Sequence, residues 1–306
     1  MTLTITLAII HILGLLGIGA LARRLGYLSE TDVTRWSRVV VDFLLPALAF
    51  HTIVSHLDTA RLHVLWFSPV VAFGMMALGA AVGFAVAPRA NHHTPEFIRT
   101  FRHFCAMNNY GFLPMVLVQR LWGDAALADF FIFNLGSELG YWTIGVTMLT
   151  RHSPLHAIRR MLSPILVVIL LGVGICLAGW QPCIPRPVLD LSHALGVGAV
   201  PLILVLAGGG LHPLIPRLHH KAALLALVAL RLAIIPAITL TILHFLPLAP
   251  EVRRLAFVVA LMPAALMSVI LSRRYAGDPE FAAEVALATT LLSVLTVPPA
   301  LAWLLR

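Results

Sequence analysis

Ten apolar stretches of similar length recur along the 306-residue chain, and they constrain its fold more than any other feature. A helix needs about 20 apolar residues to cross the hydrocarbon core of a bilayer. The stretches cover, to within a few residues, positions 5–22, 39–57, 64–87, 104–121, 130–150, 163–179, 191–211, 222–245, 255–271 and 285–305. Their connections are too short to hold a separate soluble domain. The sequence therefore predicts an all-α membrane protein with ten transmembrane helices.

The composition agrees with this class. Hydrophobic residues make up 60% of the chain and charged residues only 11%, whereas soluble domains carry roughly 25% charged residues. The first stretch is not expected to be a cleaved signal peptide, because it is long and its basic neighbours, Arg23 and Arg24, follow it rather than precede it. The lipid bilayer is therefore the expected solvent for most of the chain.

The distribution of basic residues predicts an orientation. Of the 21 Lys and Arg residues, 14 lie in or beside connections that follow odd-numbered helices, six lie after even-numbered helices, and Arg231 lies inside helix eight. Cytoplasmic connections are enriched in basic residues. The odd connections, including residues 151–162, are thus predicted to be cytoplasmic and both termini periplasmic, in a bacterial-type inner membrane. We interpret the net charge of +8 as this topology signal and expect no nucleic-acid partner.

The basic connection at residues 151–162 divides the ten predicted helices into two groups of five. An odd number of helices per group places the second group in the opposite orientation. Two related groups would then form an inverted repeat, which is a common plan of secondary transporters. We expect the first repeat at residues 1–155 and the second, inverted repeat at residues 156–306, within one integral membrane unit.

Helix-breaking residues occur in the fourth helix of each group. The candidate substrate-binding residues there are Asn108, Asn109, Gly111, Pro114, Pro263, Ala264 and Ser268. Proline disrupts helical hydrogen bonding, and a bilayer tolerates the freed backbone groups only against protein or a water-filled cavity. We predict that helices four and nine are interrupted within roughly 10 Å of each other and that half-helix N-termini there attract an anion. Alternatively, the prolines only kink the helices, as Pro46, Pro201 and Pro236 also could.

Several short motifs occur in a characteristic order along the chain. They are Leu45-Pro46-Ala47-Leu48, Asn109-Tyr110-Gly111-Phe112-Leu113-Pro114, Val200-Pro201-Leu202, Gly208-Gly209-Gly210-Leu211, Met262-Pro263-Ala264, Arg274-Tyr275-Ala276-Gly277-Asp278-Pro279-Glu280 and Thr289-Thr290-Leu291-Leu292-Ser293. Each motif is weak alone, but the set resembles the auxin efflux carrier family over nearly the whole chain. That family includes bacterial malonate-type permeases and plant auxin exporters.

The resemblance implies two inverted five-helix repeats, crossing broken helices four and nine, and elevator-type alternating access. It also implies a small carboxylate bound near the crossing and, by analogy, a homodimer. It leaves the energy source open between uncoupled transport and coupling to H⁺ or Na⁺, and we expect no other cofactor. Bile-acid sodium symporters and sodium/proton antiporters share the general architecture. The chain lacks the adjacent aspartate pair of electrogenic antiporters, which disfavours that function.

Ionisable residues inside predicted helices are costly to insert and invite functional interpretation. Arg231 could hold a substrate carboxylate; alternatively it forms an ion pair with Asp42 or Glu138 or extends to the cytoplasmic interface. Glu138, one turn after Asn134, could couple transport to protons, because a carboxyl group removed from water holds its proton more tightly. Single histidines near the spans, at positions 11, 51, 193 and 244, are expected to be interfacial or hydrogen-bonded. The paired histidines at 92–93 and 219–220 match no strong metal motif.

The leading functional class is a secondary transporter of small organic anions, such as mono- or dicarboxylates. The sequence contains no Walker motif, so it holds no recognisable ATP-driven engine. It also contains no hydrolase or metalloprotease motif, and we do not expect an enzyme. Two alternatives stay open: a transport-inactive receptor or sensor with a carrier fold, and a sodium-coupled symporter of the bile-acid type. Substrate-dependent flux in proteoliposomes would separate carriers from the receptor.

Overall fold

The computed structural model describes residues 2–87, 94–150, 163–211 and 220–305. Within these ranges the chain is almost entirely helical and forms no β-strand. The predicted all-helical class is therefore confirmed. The connection at residues 151–162, the paired histidines at 92–93 and His219 lie outside the described residues.

Sixteen α-helical segments follow one another in the described part of the chain. They are α1 (Thr2–Arg24), α2 (Glu30–Val39), α3 (Leu45–His56), α4 (Thr59–Leu65), α5 (Ser68–Val86), α6 (Pro95–Ala106), α7 (Phe112–Gly140), α8 (Thr147–Leu149), α9 (Pro164–Leu177), α10 (Arg186–Val197), α11 (Ala199–Leu211), α12 (Lys221–Ala229), α13 (Ile235–Phe245), α14 (Pro250–Ala260), α15 (Met267–Arg274) and α16 (Pro279–Leu304). Short π-helical turns at Val40–Leu44, Tyr141–Val146 and Leu230–Ile234 join some of them into longer rods.

Six helical stretches of the described chain are long and apolar enough to cross a bilayer. They are Ile5–Arg24, Glu30–His56, Thr59–Val86, Arg186–Gly210, Lys221–Phe245 and Pro279–Leu304. These stretches make the chain a multi-pass membrane protein. The other four predicted crossings coincide with the shorter apolar helix α9, with the second half of α7, and with two helices that are interrupted.

The structure corrects the predicted boundary between helices four and five. The sequence predicts a gap from about residue 121 to residue 130, but α7 runs through this region with a single non-helical residue, Gly123, at φ 79° and ψ −171°. Glycine adopts a positive φ without the steric penalty that a Cβ imposes. The two helices are therefore joined by a kink at one residue rather than by a loop.

Two of the intramembrane prolines follow directly on π-helical turns. Pro46 is the second residue of α3 and follows Val40–Leu44, and Pro236 is the second residue of α13 and follows Leu230–Ile234. Proline cannot donate a backbone hydrogen bond, and its ring crowds the carbonyl four residues earlier. A π turn widens the helix locally, so the rod continues past both prolines. Pro46 and Pro236 therefore do not interrupt their helices.

Close glycine contacts hold α1 against α11. A Cβ atom on Gly19 would lie 1.8 Å from the Val205 carbonyl oxygen, and one on Gly208 would lie 2.0 Å from the Leu16 carbonyl oxygen. Neither distance is possible for a larger residue. Small residues at such positions let membrane helices approach backbone to backbone. α1 and α11 thus form one closely packed pair.

The outer surface of the bundle is apolar. Phe245 is 79% exposed, Leu295 73% and Trp303 72%. Polar side chains such as Asn108 and Thr289 are instead buried in the interior. This inversion of the arrangement in soluble proteins is expected where lipid is the solvent.

Candidate functional site

Two helices of the described bundle are interrupted in its interior, and the interruptions contact each other. The first separates α6, which ends at Ala106, from α7, which begins at Phe112; the second separates α14, which ends at Ala260, from α15, which begins at Met267. Asn108 and Ala264 form an isolated antiparallel bridge between them. Freed backbone groups inside a membrane protein need such partners.

Two backbone hydrogen bonds accompany this pairing. The Asn109 N–H donates to the Pro263 carbonyl over 2.7 Å, and the Ala265 N–H donates to the Met107 carbonyl over 3.4 Å. The interrupted segments therefore satisfy part of each other's hydrogen-bonding capacity. The sequence prediction that the two segments meet agrees with this geometry.

The two asparagines of the first interruption are both buried, with exposed fractions of 4% for Asn108 and 5% for Asn109. The Asn108 side-chain amide donates over 2.6 Å to the Val259 carbonyl in the last turn of α14, which also accepts from the Met262 N–H over 3.2 Å. The Asn108 side-chain oxygen is buried without a hydrogen bond. The Asn109 side-chain amide forms no hydrogen bond within the described residues. Both side chains thus retain capacity to bind a ligand.

Gly111 and Pro114 form the start of the half-helix α7. Gly111 is the N-cap, at φ −99° and ψ −90°, and a Cβ at this position would meet no atom within 4 Å. Pro114 is the third residue of the helix, where a backbone N–H has no helical acceptor. Its missing donor therefore costs little, and Pro114 begins α7 instead of disrupting it.

Thr289 of α16 supports the second interruption. Its hydroxyl oxygen accepts a hydrogen bond from the Ala264 N–H over 3.2 Å and donates to the Val285 carbonyl of its own helix over 2.7 Å. Sequence reasoning used Thr289 only as part of a motif and assigned it no role. The structure makes it the side chain that fixes the Ala264 backbone.

Ser268 is directed to a histidine. Its hydroxyl lies 2.8 Å from His103 Nε2, and His103 Nδ1 lies 2.9 Å from the Gly145 carbonyl oxygen. A carbonyl only accepts, so Nδ1 carries the proton and Nε2 accepts from the Ser268 hydroxyl. The fully buried His103, which sequence reasoning missed, therefore ties α15 to α6 and to the π turn at Tyr141–Val146.

Arg231 forms neither of the predicted ion pairs. The residue is 3% exposed, and its guanidinium donates from Nη1 to the Cys105 carbonyl over 3.0 Å. Cys105 lies in the last turn of α6, where the carbonyl has no helical partner and the helix dipole favours a cation. The expectation that Arg231 pairs with Asp42 or Glu138 is wrong, because its charge faces this helix end.

The two predicted carboxylates have different surroundings. Asp42 lies on the exposed surface of the π turn at Val40–Leu44. Glu138 is half-buried in α7, interacts with the Trp142 side chain, and lies within electrostatic reach of the Tyr110 hydroxyl in the first interruption. Of the two, Glu138 is the one adjacent to the paired segments.

A small cavity of about 20 Å³ adjoins the second interruption. Its lining residues are Ile12, Leu13, Leu16, Leu113, Leu117, Met262, Pro263, Thr290, Ser293, Val294 and Val297. This volume suits roughly one water molecule. Among the predicted site residues, Pro263 lines this cavity; the Ala264 N–H and the Ser268 hydroxyl are occupied by the contacts described here.

Spanning helices and a buried polar pairing of two interrupted helices define a multi-pass helical membrane protein with an internal polar site. Comparison with known proteins identifies its family. A family model described as membrane transport protein matches residues 3–157 and residues 147–300. The chain therefore belongs to this family, the auxin efflux carrier family that its motifs resemble.

Two archaeal relatives are similar over almost their whole lengths. An uncharacterized transporter of Methanothermobacter thermautotrophicus is 26% identical over 298 residues, covering 96% of each chain. An uncharacterized transporter of Methanocaldococcus jannaschii is 21% identical over 298 residues, covering 94% of this chain and 95% of the relative. Both names agree with the family and neither gives a substrate.

Proposed function

We propose that this protein is a secondary carrier of small organic anions, such as mono- or dicarboxylates, in a bacterial-type inner membrane. The observation that carries the proposal is the pairing of the two interruptions around Asn108 and Asn109. Two buried amides there have unused hydrogen-bonding capacity. A site of this kind, inside a bundle of spanning helices, suits the binding of a small polar solute during transport.

The start of α7 supports an anion rather than a cation. The first N–H groups of a helix have no internal acceptor, and the helix dipole places positive potential at that end. Gly111 leaves open space beside these donors, and the Asn109 amide precedes them directly in the chain. An incoming carboxylate could accept hydrogen bonds from the first backbone N–H groups of α7 and from the Asn109 side-chain amide.

The proposed architecture is two inverted repeats, at residues 1–155 and 156–306, whose broken fourth helices cross at the site. The equivalent rank of the two interruptions and their antiparallel pairing support this arrangement. An elevator-type movement of the crossing between two faces would provide alternating access. In this scheme Glu138 is the candidate proton-coupling group, Arg231 positions the end of α6, and both termini are periplasmic.

Flux through proteoliposomes containing the purified full chain tests the proposal. The experiment measures counterflow of radiolabelled malonate, with other mono- and dicarboxylates as competitors and varied pH and sodium gradients. Loss of a hydrogen bond to a charged group costs about 1.5–3 kcal/mol, so Asn109→Ala should reduce malonate flux by roughly tenfold or more. Gln181→Ala is the control, because the Gln181 amide donates to Leu57 in a peripheral turn.

Wild-type flux in Asn109→Ala would remove Asn109 from the site. A folded wild-type protein that transports no carboxylate of the panel would overturn the carrier function and favour the receptor alternative. Flux that requires sodium would favour a symporter of the bile-acid type over proton coupling.

A further inference from the structure

A larger cavity, of about 160 Å³, lies between helices next to the small one. Its lining residues are His11, Leu15, Leu48, His51, Thr52, Val116, Gln119, Arg120, Asp124, His193, Gly196, Val197, Val200 and Pro201. A single water needs about 10–15 Å³ of such a cavity. The space therefore suits a molecule of several non-hydrogen atoms.

One wall of this cavity carries a cation without a carboxylate partner. Arg120 Nη2 lies 3.2 Å from His11 Nε2, and arginine only donates, so His11 accepts through Nε2. No carboxylate lies within ion-pair distance of Arg120 among the described residues. The nearby Asp124 carboxylate instead accepts from the Gln119 amide over 2.9 Å. The positive charge of Arg120 is therefore available to a ligand.

Two further histidines line the same cavity. The His51 and His193 rings pack edge to face, with centroids 4.6 Å apart. His51 Nδ1 lies 3.2 Å from the Leu189 carbonyl oxygen and so donates to it. Three histidines, which the sequence treats as unrelated, thus converge on one cavity from α1, α3 and α10.

Helices α1 and α7 line both the small and the large cavity, so the large cavity lies next to the helix crossing. On α7, Leu113 and Leu117 face the small apolar cavity, whereas Gln119 and Arg120 face the large polar one. The large cavity is also lined by the last two turns of α10 and the start of α11, and it lies near the kink at Gly123. Two of its lining residues, His11 in the first half of α1 and Thr52 towards the end of α3, lie on the side that the basic-residue distribution predicts to be periplasmic.

We propose that this cavity is an outer binding site for a small organic carboxylate, distinct from the site at the helix crossing. The inference rests on the proposed carrier function for its place on the transport path. The anion accepts charge-assisted hydrogen bonds from the Arg120 guanidinium, which suits carboxylate geometry, and further hydrogen bonds from imidazole N–H groups of His11 and His193. The negative charge of Asp124 on the same wall opposes binding and limits the affinity.

Histidine footprinting of the full chain in lipid nanodiscs tests the site directly. Diethyl pyrocarbonate acylates accessible imidazoles, and mass spectrometry reads the acylation of each histidine separately. Malonate should protect His11, His51 and His193, while its uncharged analogue malonamide should not. His244, at the end of α13, lies outside the cavity and should react equally under all conditions.

Charge variants set the expected magnitudes. Arg120→Gln should raise the malonate concentration for half-protection by roughly tenfold or more, since it removes the charge-assisted hydrogen bonds of the guanidinium. Asp124→Asn should lower the malonate concentration for half-protection. Arg254→Gln is the matched control, because Arg254 stacks over the neighbouring Trp122 at 5.2 Å and does not line the cavity. Its half-protection concentration should equal that of wild type.

The outcomes separate this inference from the proposed function. Malonate flux in the wild type without protection of the three histidines would overturn the outer site and leave the carrier function standing. Equal protection by malonamide would overturn it too. Protection retained in Asn109→Ala, with flux lost, would support two distinct sites. Protection in a wild type without flux would support the site while overturning the carrier function.

Discussion

Both interrupted helices are broken inside the bundle, but the side chains at the two breaks differ in polarity. The first interruption contributes polar side chains, with Asn108, Asn109 and Tyr110 in sequence. The second contributes Met262, Pro263, Ala264 and Ala265, whose side chains are apolar and whose backbone supplies the acceptor for Asn109 and the partner for Met107. Equivalent breaks in this fold therefore do not require equivalent chemistry, and the polar side chains are concentrated in one of them.

The two interruptions also differ in how they are fixed. The end of α6 is held from several directions, by close approach of Gly79 to the Cys105 carbonyl, by the Arg231 guanidinium and by the contacts of His103. The second interruption depends on Thr289, on the Ser268–His103 hydrogen bond and on its pairing with the first. We infer that the first is the rigid member of the pair, and four variants test this comparison.

The largest effect is expected at Gly79. A Cβ atom there would lie 2.4 Å from the Cys105 carbonyl oxygen, which cannot move without displacing α6. Gly79→Val should lower the free energy of unfolding by about 3 kcal/mol, the upper end for overpacked sites. Thermal unfolding in detergent measures this loss of stability. Gly74→Val in the same helix is the control, since nothing lies within 4 Å of a Cβ there; equal melting temperatures would show that α6 is not tightly held.

Thr289→Val should have the next largest effect. It keeps the side-chain shape but leaves the buried Ala264 N–H without its acceptor, which costs about 1–3 kcal/mol. Thr290→Val is the matched control, because the Thr290 hydroxyl donates only to the Ala286 carbonyl of its own helix. Equal melting temperatures for the two variants would contradict the role of Thr289 in fixing the second interruption.

Asn108→Ala should have a smaller effect on stability, of about 1 kcal/mol, because it removes one hydrogen bond, to the Val259 carbonyl. The first interruption keeps its other supports. Thermal unfolding and malonate flux of the same preparation would be compared. A larger loss of stability than in Thr289→Val would reverse our ranking of the two interruptions.

Glu138→Gln should leave the melting temperature nearly unchanged, because the two side chains have the same size. If Glu138 carries the coupling proton, malonate flux in this variant should no longer respond to a pH gradient, while malonate binding is retained. Flux at several imposed pH gradients measures the response. An unchanged response would return Glu138 to a structural role beside Tyr110.

Local sequence features predicted the helical class, the two interruptions and their contact. Pro263 and the Asn-Asn-Tyr-Gly segment are local signals of helix breaks, and the bilayer requires such breaks to be covered. The partners of Ser268 and Arg231 were not predictable, because His103 and Cys105 are 165 and 126 residues away along the chain. The kink at Gly123 was missed because a single glycine does not mark the end of an apolar stretch.

The distant partner of Arg231 has a consequence for biogenesis. A lone arginine at the centre of a helix opposes membrane insertion by about 2.5–3.5 kcal/mol. Its acceptor, the Cys105 carbonyl, belongs to a helix synthesised 126 residues earlier. The stretch Lys221–Phe245 can therefore satisfy this guanidinium in the bundle only where the end of α6 is in place. Because α6 precedes this stretch in the chain, its acceptor has already been synthesised when Arg231 enters the membrane.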